Sequence, residues 1–400
     1  MSEPHLIIVI PSHDEPALLE TLDSLRRCQP APAAVEVVVV INGSEQDPPA
    51  CRQQQQWRWQ QAQQWVATQP SHFATTLLYE PNLPARHAGV GTARKIGMDW
   101  AAQRFAPAQQ QCGAIVCLDA DCQVAENYLT ALCHTFATYP EMPGCSLYFE
   151  HPLHHLPDNQ RQAIVNYELY LRYYLHGLRW SRFPHAFHTI GSSMAVRAQA
   201  YRAQGGMNRR KAGEDFYFLQ KIIPIGGFRD LCQTTVFPSA RPSHRVPFGT
   251  GRAISDALCA RKDLSLTDHP QLFAVLGQLF CHLDLLRAAP PSTMLDHLHP
   301  CLQQFLLQHG WPQRIIEIGR NTTSQAAFRK RFFLNFNAFV ILKFIHFASE
   351  QGFPKQPLPE AARQLLLAMN LACPQGDTEQ LLDFYRRLDR AGFWYQQGEA

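Results

Sequence analysis

Two aspartates close an uncharged apolar stretch: Gly113-Ala-Ile-Val-Cys-Leu118 is followed at once by Asp119-Ala-Asp121. One intervening residue lets both carboxylates reach a single divalent cation, directly or through water, while the other positions go to waters and phosphate oxygens. A cation held there would neutralise a departing diphosphate. Turn chemistry offers the plainer reading, with Asp119 capping a turn and Asp121 solvated. A second acidic pair, Glu214-Asp215, stands before the apolar segment 216–223. At a helix start such carboxylates cap free amides and complement the dipole; at the rim of a crevice, one of them can act as a general base.

The basic residues are as suggestive as the acidic ones. Gly89-Val-Gly-Thr-Ala-Arg-Lys-Ile-Gly97 opens a helix, its glycines permitting close backbone approach and Arg94 and Lys95 able to face a phosphate. Tight packing with both cations solvated accounts for the same residues. Arg241-Pro-Ser-His-Arg-Val-Pro-Phe-Gly-Thr-Gly-Arg252 has no periodicity and reads as a mobile loop able to close over a charged ligand. Within it, His244 can complete a metal's ligand set or simply be solvated.

These residues need a scaffold that brings them to one edge. The 113–118 run reads as a central strand buried on both faces. Ligands of open α/β sheets bind outside the carboxyl ends of the strands, where Asp119 and Asp121 fall. Residues 5–10 read as a first strand, Pro11 to Glu15 as a polar turn, and Leu18, Leu19, Leu22 and Leu25 as a helix face. A second strand, 37–41, breaks at Asn42-Gly43-Ser44, and a third spans 75–79 before a loop at 81–84. The sheet is expected to be largely parallel. Between strands two and three, the glutamine-rich tract 53–64 reads as an exposed crossover helix.

Further along, 126–139 is expected to be helical, 146–149 and 234–237 to be strands, and 161–180 to be a helix. Its Tyr167, Tyr170, Tyr173 and Tyr174 either pack in a core or line a groove. His151, His154 and His155 read as a surface loop rather than a metal site. Strand signals stop near residue 254, and helices are expected at 271–287, 326–348 and 378–391. A boundary near 253 therefore divides an α/β domain, 1–252, from a helical region, 253–400.

Composition narrows the function classes. A chain of 400 residues, 46% hydrophobic and 17% charged, is globular and long enough for two or three domains. A net charge of +3 and a pI near 8.3 argue against nucleic acid as the partner. Twelve cysteines without Cys-x-x-Cys spacing read as small buried hydrophobes in a reducing compartment. The start lacks a basic n-region, and its apolar run is too short for a signal peptide. The longest apolar candidate, 332–348, is interrupted by Asn335, Asn337, Lys343 and His346 and reads as a buried helix rather than a transmembrane segment. The expectation is a cytoplasmic protein, with peripheral contact at the inner face of a membrane left open.

Taken in order over residues 5–250, the pieces resemble the family 2 glycosyltransferases of the GT-A fold. Val9-Ile-Pro-Ser-His-Asp-Glu15 looks like that family's first nucleotide-contacting turn, and Gly89 to Gly97 like its Gly-x-x-x-Ala-Arg-x-x-Gly helix. Asp119-Ala-Asp121 matches its Asp-x-Asp motif. Gly191-Ser-Ser-Met-Ala-Val-Arg197, with Gly213-Glu-Asp215 behind it, is similar to its acceptor-side segment and Glu-Asp motif. The resemblance implies a Rossmann-like, mostly parallel α/β sheet with a C-terminal helical extension. It also implies sugar transfer from a nucleoside diphosphate sugar to the hydroxyl of a saccharide, lipid-linked or small-molecule acceptor.

By the same resemblance Mn²⁺ or Mg²⁺ would sit at Asp119 and Asp121 with His244. Pro11, His13, Glu15, Asn42, Gly91, Arg94, Asp119, Arg245 and Arg252 would surround the nucleotide sugar, and Gly191, Ser192 and Ser193 the acceptor. Asp215, beside Glu214, would be the base for an inverting displacement. One departure is Ile41-Asn42, where many relatives carry an acidic pair, so nucleotide identity stays open. A sugar-phosphate nucleotidyltransferase is the alternative enzyme, although Pro11 to Glu15 lacks the glycine and lysine that hold a triphosphate. A non-catalytic binding protein on the same fold is the third reading.

Overall fold

The computed structural model describes residues 5–105, 113–208, 213–243, 249–288 and 295–396. By contact they divide into two units: Met1–Ile164, Phe187–Cys259 and Asp389–Phe393 form the first, and Val165–Ala186, Ala260–Leu388 and Trp394–Ala400 the second.

The first unit is built on an eight-stranded sheet. Its strands are β1 (Leu6–Ser12), β2 (Val35–Ser44), β3 (Ala74–Leu83), β4 (Ala114–Cys117), β5 (Gln123–Val124), β6 (Gly144–Phe149), β7 (Met194–Arg197) and β8 (Arg229–Phe237), in the order β3-β2-β1-β4-β7-β6-β8-β5. The β3-β2-β1-β4 half is parallel, β7 runs antiparallel to both β4 and β6, and β5 runs antiparallel to β8. This is the mostly parallel α/β sheet the resemblance implies. Residues 6–10 of β1, 37–41 of β2 and all of β4 are continuous apolar runs because both faces are covered, and every residue of β1 and β4 is buried.

Strand order explains two differences from the sequence reading. β1 does not turn at Pro11 but continues to Ser12; its pairing with β4 stops at Val9, so Pro11 faces only β2 and no ladder bond to β4 is lost. β3 likewise runs through Pro81 instead of ending in a loop, because it is the sheet's edge.

The helices of the first unit are α1 (Leu18–Arg26), α2 (Pro49–Thr68), α3 (Val90–Arg104), α4 (Tyr128–Thr138), the start of α5 (Asp158–Trp180, whose residues from Val165 onward belong to the second unit), α6 (Ala198–Ala203), α7 (Glu214–Ile222) and α8 (Thr250–Leu258). α3 lies close on β1 and β2, since a Cβ at Gly97 would fall 2.3 Å from Val9 Cγ1 and 3.1 Å from Val40 Cγ2. Ala93, Met98 and Ala101 of α3 share one core with Phe218, Leu219 and Ile222 of α7 and with Val9, Cys117 and Met194 of the sheet. Two helices far apart in sequence are thereby fixed on the same face. The glutamine-rich α2 is mostly exposed, as expected, but buries Gln55, Ala62 and Trp65. His151 is not in a solvated loop: it is buried, with Nε2 3.3 Å from Thr250 Oγ1.

The second unit is helical apart from the antiparallel two-residue strands Leu266–Thr267 and Gln356–Pro357, which had no sequence signal. The apolar 326–348 segment is not one helix. It forms Gln325–Asn335 and Ala338–Glu350, bent by 62°. Asn337 makes the break, its Oδ1 accepting hydrogen bonds from Phe339 N and Val340 N at the second helix's start. Among the described residues no single helix is long and apolar enough to cross a membrane. The tyrosines of α5 pack rather than line a groove: Tyr173 and Tyr174 meet Phe273 edge-on, and Tyr173 donates to Asp268 O.

Candidate active site

β1 and β4 are neighbours, yet the chain passes from β1 to β2 and β3 on one side before β4 adds to the other. That makes the β1/β4 edge the sheet's switch point, and a crevice is expected beyond its carboxyl end. Asp119 and Asp121 leave β4 at this end. The turn is anchored, with Leu118 N donating to Val9 O and Thr21 Oγ1 of α1 donating to Ala120 O at 2.8 Å.

Arg94 is the hub of the site. It is 2% exposed, in the first turns of α3, and its guanidinium bonds Asp119 Oδ1 with Nη2 and Glu214 Oε1 with Nη1. The sequence reading either turned this cation towards a phosphate or left it solvated; the structure commits it to two carboxylates. Lys95 pairs with Asp99 at 2.7 Å instead. Gly191 lies flat against the same guanidinium, since a Cβ there would fall 2.8 Å from Nη2 and 2.9 Å from Cζ. Gly191 N in turn donates to Asp215 Oδ2 at 2.8 Å, and Asp215 Oδ1 accepts from Phe216 N. One arginine therefore gathers the Asp-x-Asp turn, the Gly-Ser-Ser segment and the Glu-Asp pair. Ser192 and Ser193 are buried behind Gly191.

The electrostatics separate the two residues of the Glu-Asp pair. Burial, working against the Arg94 charge and helped by Asp215, pushes the Glu214 carboxyl up to about 7. Asp215 is also raised by burial, while Arg94 and the amides of Phe216 and Gly191 oppose the shift. Burial disfavours the charge of Arg94, but Asp119 and Glu214 overcome it and hold the guanidinium above its ordinary range. Glu214 is fully enclosed and committed to Arg94. Asp215 is only half-buried, and each of its oxygens accepts a backbone amide. The capping reading holds only in part, because Gly213 is the N-cap and Asp215 binds an amide of another segment as well as its neighbour's.

Asp119 is 36% exposed, and Asp121 is half-buried on the same turn. Two hard oxygen donors at a strand end suit Mg²⁺ or Mn²⁺, with waters or phosphate oxygens completing the shell. With Asp215 added, the carboxylates outnumber the single Arg94 charge, which favours a cation. His244 and Arg245 lie outside the described residues.

The remaining candidates sit along the carboxyl ends of β1 and β2, at the start of α3 or in α8. Pro11 is buried in β1, and Gly91 is buried in the first turn of α3. Glu15 is 4% exposed and bound by both oxygens to Arg241 at 2.9 and 2.7 Å, a partner the sequence did not reveal. That ion pair ties the start of the 241–252 segment to the β1–α1 turn. At its other end Ser243 N donates to Gly251 O, and Arg252 pairs with Asp256 within α8. Asn42, 1% exposed at the end of β2, has both amide atoms without a hydrogen-bond partner among the described residues. His13 is half-exposed and lies 3.4 Å from Asp47.

No family model and no curated protein matches the chain. Among solved structures it is similar to residues 1–349 of TarS from S. aureus in complex with UDP-GlcNAc, at 11% identity and a TM-score of 0.42, over 83% of this chain and 91% of that one. It is also similar to a mannosyltransferase from Pyrobaculum calidifontis in complex with GDP-Man and Mn²⁺, at 16% identity and a TM-score of 0.37, over 84% and 88%. Likenesses this low leave the function to the geometry of the site.

Proposed function

We propose that the chain transfers a sugar from a nucleoside diphosphate sugar to an acceptor hydroxyl with inversion, through the α/β domain of residues 1–252. The observation that carries the reading is the Arg94 hub. Its own helix start, the Asp-x-Asp turn and the Gly191 to Asp215 segment, three of the four motifs of the resemblance, meet there.

Asp119 and Asp121 would hold Mn²⁺ or Mg²⁺, whose bound charge offsets that of the diphosphate. Asp215 is the base. Burial raises its proton affinity above that of an ordinary carboxylate, and its two amide bonds fix its orientation. Glu214 does not touch substrate in this scheme; it holds Arg94, and Arg94 holds Asp119. The orphaned amide of Asn42 supports a nucleotide at the β2 end, because buried polar groups are otherwise paired. A carboxamide presents a donor beside an acceptor, which suits the edge of a base.

The test is a panel of nucleoside diphosphate sugars with the purified chain and Mn²⁺, read for nucleoside diphosphate release and for the anomer of the product by NMR. Transfer with inversion supports the reading. Failure to bind or turn over any member, or pyrophosphate release from a nucleoside triphosphate and a sugar phosphate, overturns it.

A further inference from the structure

A cluster unrelated to the acidic site lies where β1 meets α2. His13 leaves the end of β1, Asp47 lies in the β2–α2 connection, and Cys51 is in the first turn of α2. One ligand atom from each, a ring nitrogen, a carboxylate oxygen and the thiol sulfur, lies within 4.8 Å of the other two. Around a tetrahedral Zn²⁺, with bonds of about 2.0–2.3 Å, such atoms stand roughly 3.3–3.6 Å apart. His13 Nε2 and Asp47 Oδ2 are already at 3.4 Å, and the Cys51 sulfur lies within 4.8 Å of both.

The surroundings are those of a supported ligand set. Ser44 N donates to Asp47 Oδ2 at 2.7 Å and fixes the carboxylate. Gln55 is fully buried, with Nε2 2.9 Å from Asp47 Oδ2 and 3.4 Å from Cys51 Sγ, while its Oε1 has no partner among the described residues. Outer contacts of this kind orient metal ligands. A nucleophilic cysteine is the competing reading, and the charges oppose it. The Asp47 carboxylate lies beside the sulfur, so a free thiolate there would have no compensating cation. A divalent ion neutralises that carboxylate and the sulfur together.

We propose that His13, Asp47 and Cys51 form a site for one borderline-soft divalent cation of the zinc class, separate from any oxygen-ligated ion at Asp119 and Asp121. Nitrogen and sulfur donors select Zn²⁺ or Co²⁺ over Mg²⁺ and Mn²⁺. On binding, the Cys51 S–H bond breaks, its proton leaves to solvent, and the sulfur lone pair joins the metal. Partly buried ligands on three segments let the ion tie the β1 end to the start of α2. The proposal does not depend on sugar transfer.

Its test uses the full chain, stripped with EDTA and titrated with Co²⁺. The expected result is a thiolate-to-Co²⁺ charge-transfer band that saturates at one equivalent, is abolished by Zn²⁺, and survives excess Mg²⁺. Cys51→Ser should remove the band, and the near-isosteric Asp47→Asn should weaken Zn²⁺ binding at least tenfold in competition with a chromophoric chelator, both with unchanged circular dichroism. Cys259 and Cys281 are exposed and could bind metal adventitiously. A band that persists in Cys51→Ser, no band in the parent chain, or unaltered affinity in Asp47→Asn overturns the proposal.

Discussion

The amide of Gly191 and the carboxylate of Asp215 are 24 residues apart in sequence and joined at 2.8 Å. The bond decides which face of Asp215 is presented, and so which proton it can take. Asp215→Asn keeps the shape and one acceptor oxygen but removes the base. The expected outcome is a fall in kcat of about 10²–10⁴, with nucleotide affinity unchanged by calorimetry. A variant that loses affinity in proportion would make Asp215 a structural residue only.

Arg94 is expected to behave as the partner of a buried charge rather than as a surface cation. Arg94→Met leaves Glu214 enclosed and unpaired, which costs about 3–5 kcal/mol in denaturant unfolding. Adding Glu214→Gln should recover much of that loss, since the uncompensated charge is gone. Activity should not return with the stability, because Asp119 remains unheld. Simple additivity in the double variant would rule out direct coupling.

The pH dependence follows from the raised carboxyls. Glu214 has an ordinary value of 4.5 and is held at about 7 in the fold, so the folded state binds the extra proton between those values. Its contribution to stability is fully present at the acidic side of this window and is lost as pH rises through 7. Glu214→Gln should flatten that part of the stability profile. Turnover requires ionised Asp215, so its acid limb should lie above the ordinary carboxylate range, and the two profiles should slope in opposite directions.

Gly191→Ala is a test of the packing around the guanidinium. A methyl 2.8 Å from Nη2 must displace Arg94, which two carboxylates hold in place. Overpacking of this kind costs about 1–3 kcal/mol, and the loss of transfer should exceed the loss of folded protein. Arg241→Ala should instead raise KM, since it frees the start of the 241–252 segment from the buried Glu15.

Much of the framework was legible from residue order alone. Continuous apolar runs marked β1, β2 and β4, and the abrupt change to aspartate at 119 marked the strand end where a site should lie. What one dimension could not show was the contact of Arg94 with Glu214, 120 residues away. That contact depends on α3 and α7 sharing a core face, which no spacing within either helix encodes. The same limit hid the Arg241–Glu15 pair and the burial of His151. Pro11 and Pro81 misled for a related reason: a proline's cost in a strand depends on which neighbour is missing, and strand order is a property of the whole sheet. At Asn337 the apolar run was read past a capping residue that the structure uses to break the helix.

Gly97 touches neither an ion nor a sugar in any scheme above, yet its lack of a side chain sets how deeply α3 settles against Val9 and Val40. Arg94 rides on that helix one turn earlier, so the placement of the site's central cation is calibrated from behind, by the valines that fill the space a Cβ would take. A single added methyl group would lift the whole lever. Variation at this position is therefore expected to be as tightly restrained as at the aspartates themselves, although nothing about its chemistry would mark it as part of a working centre.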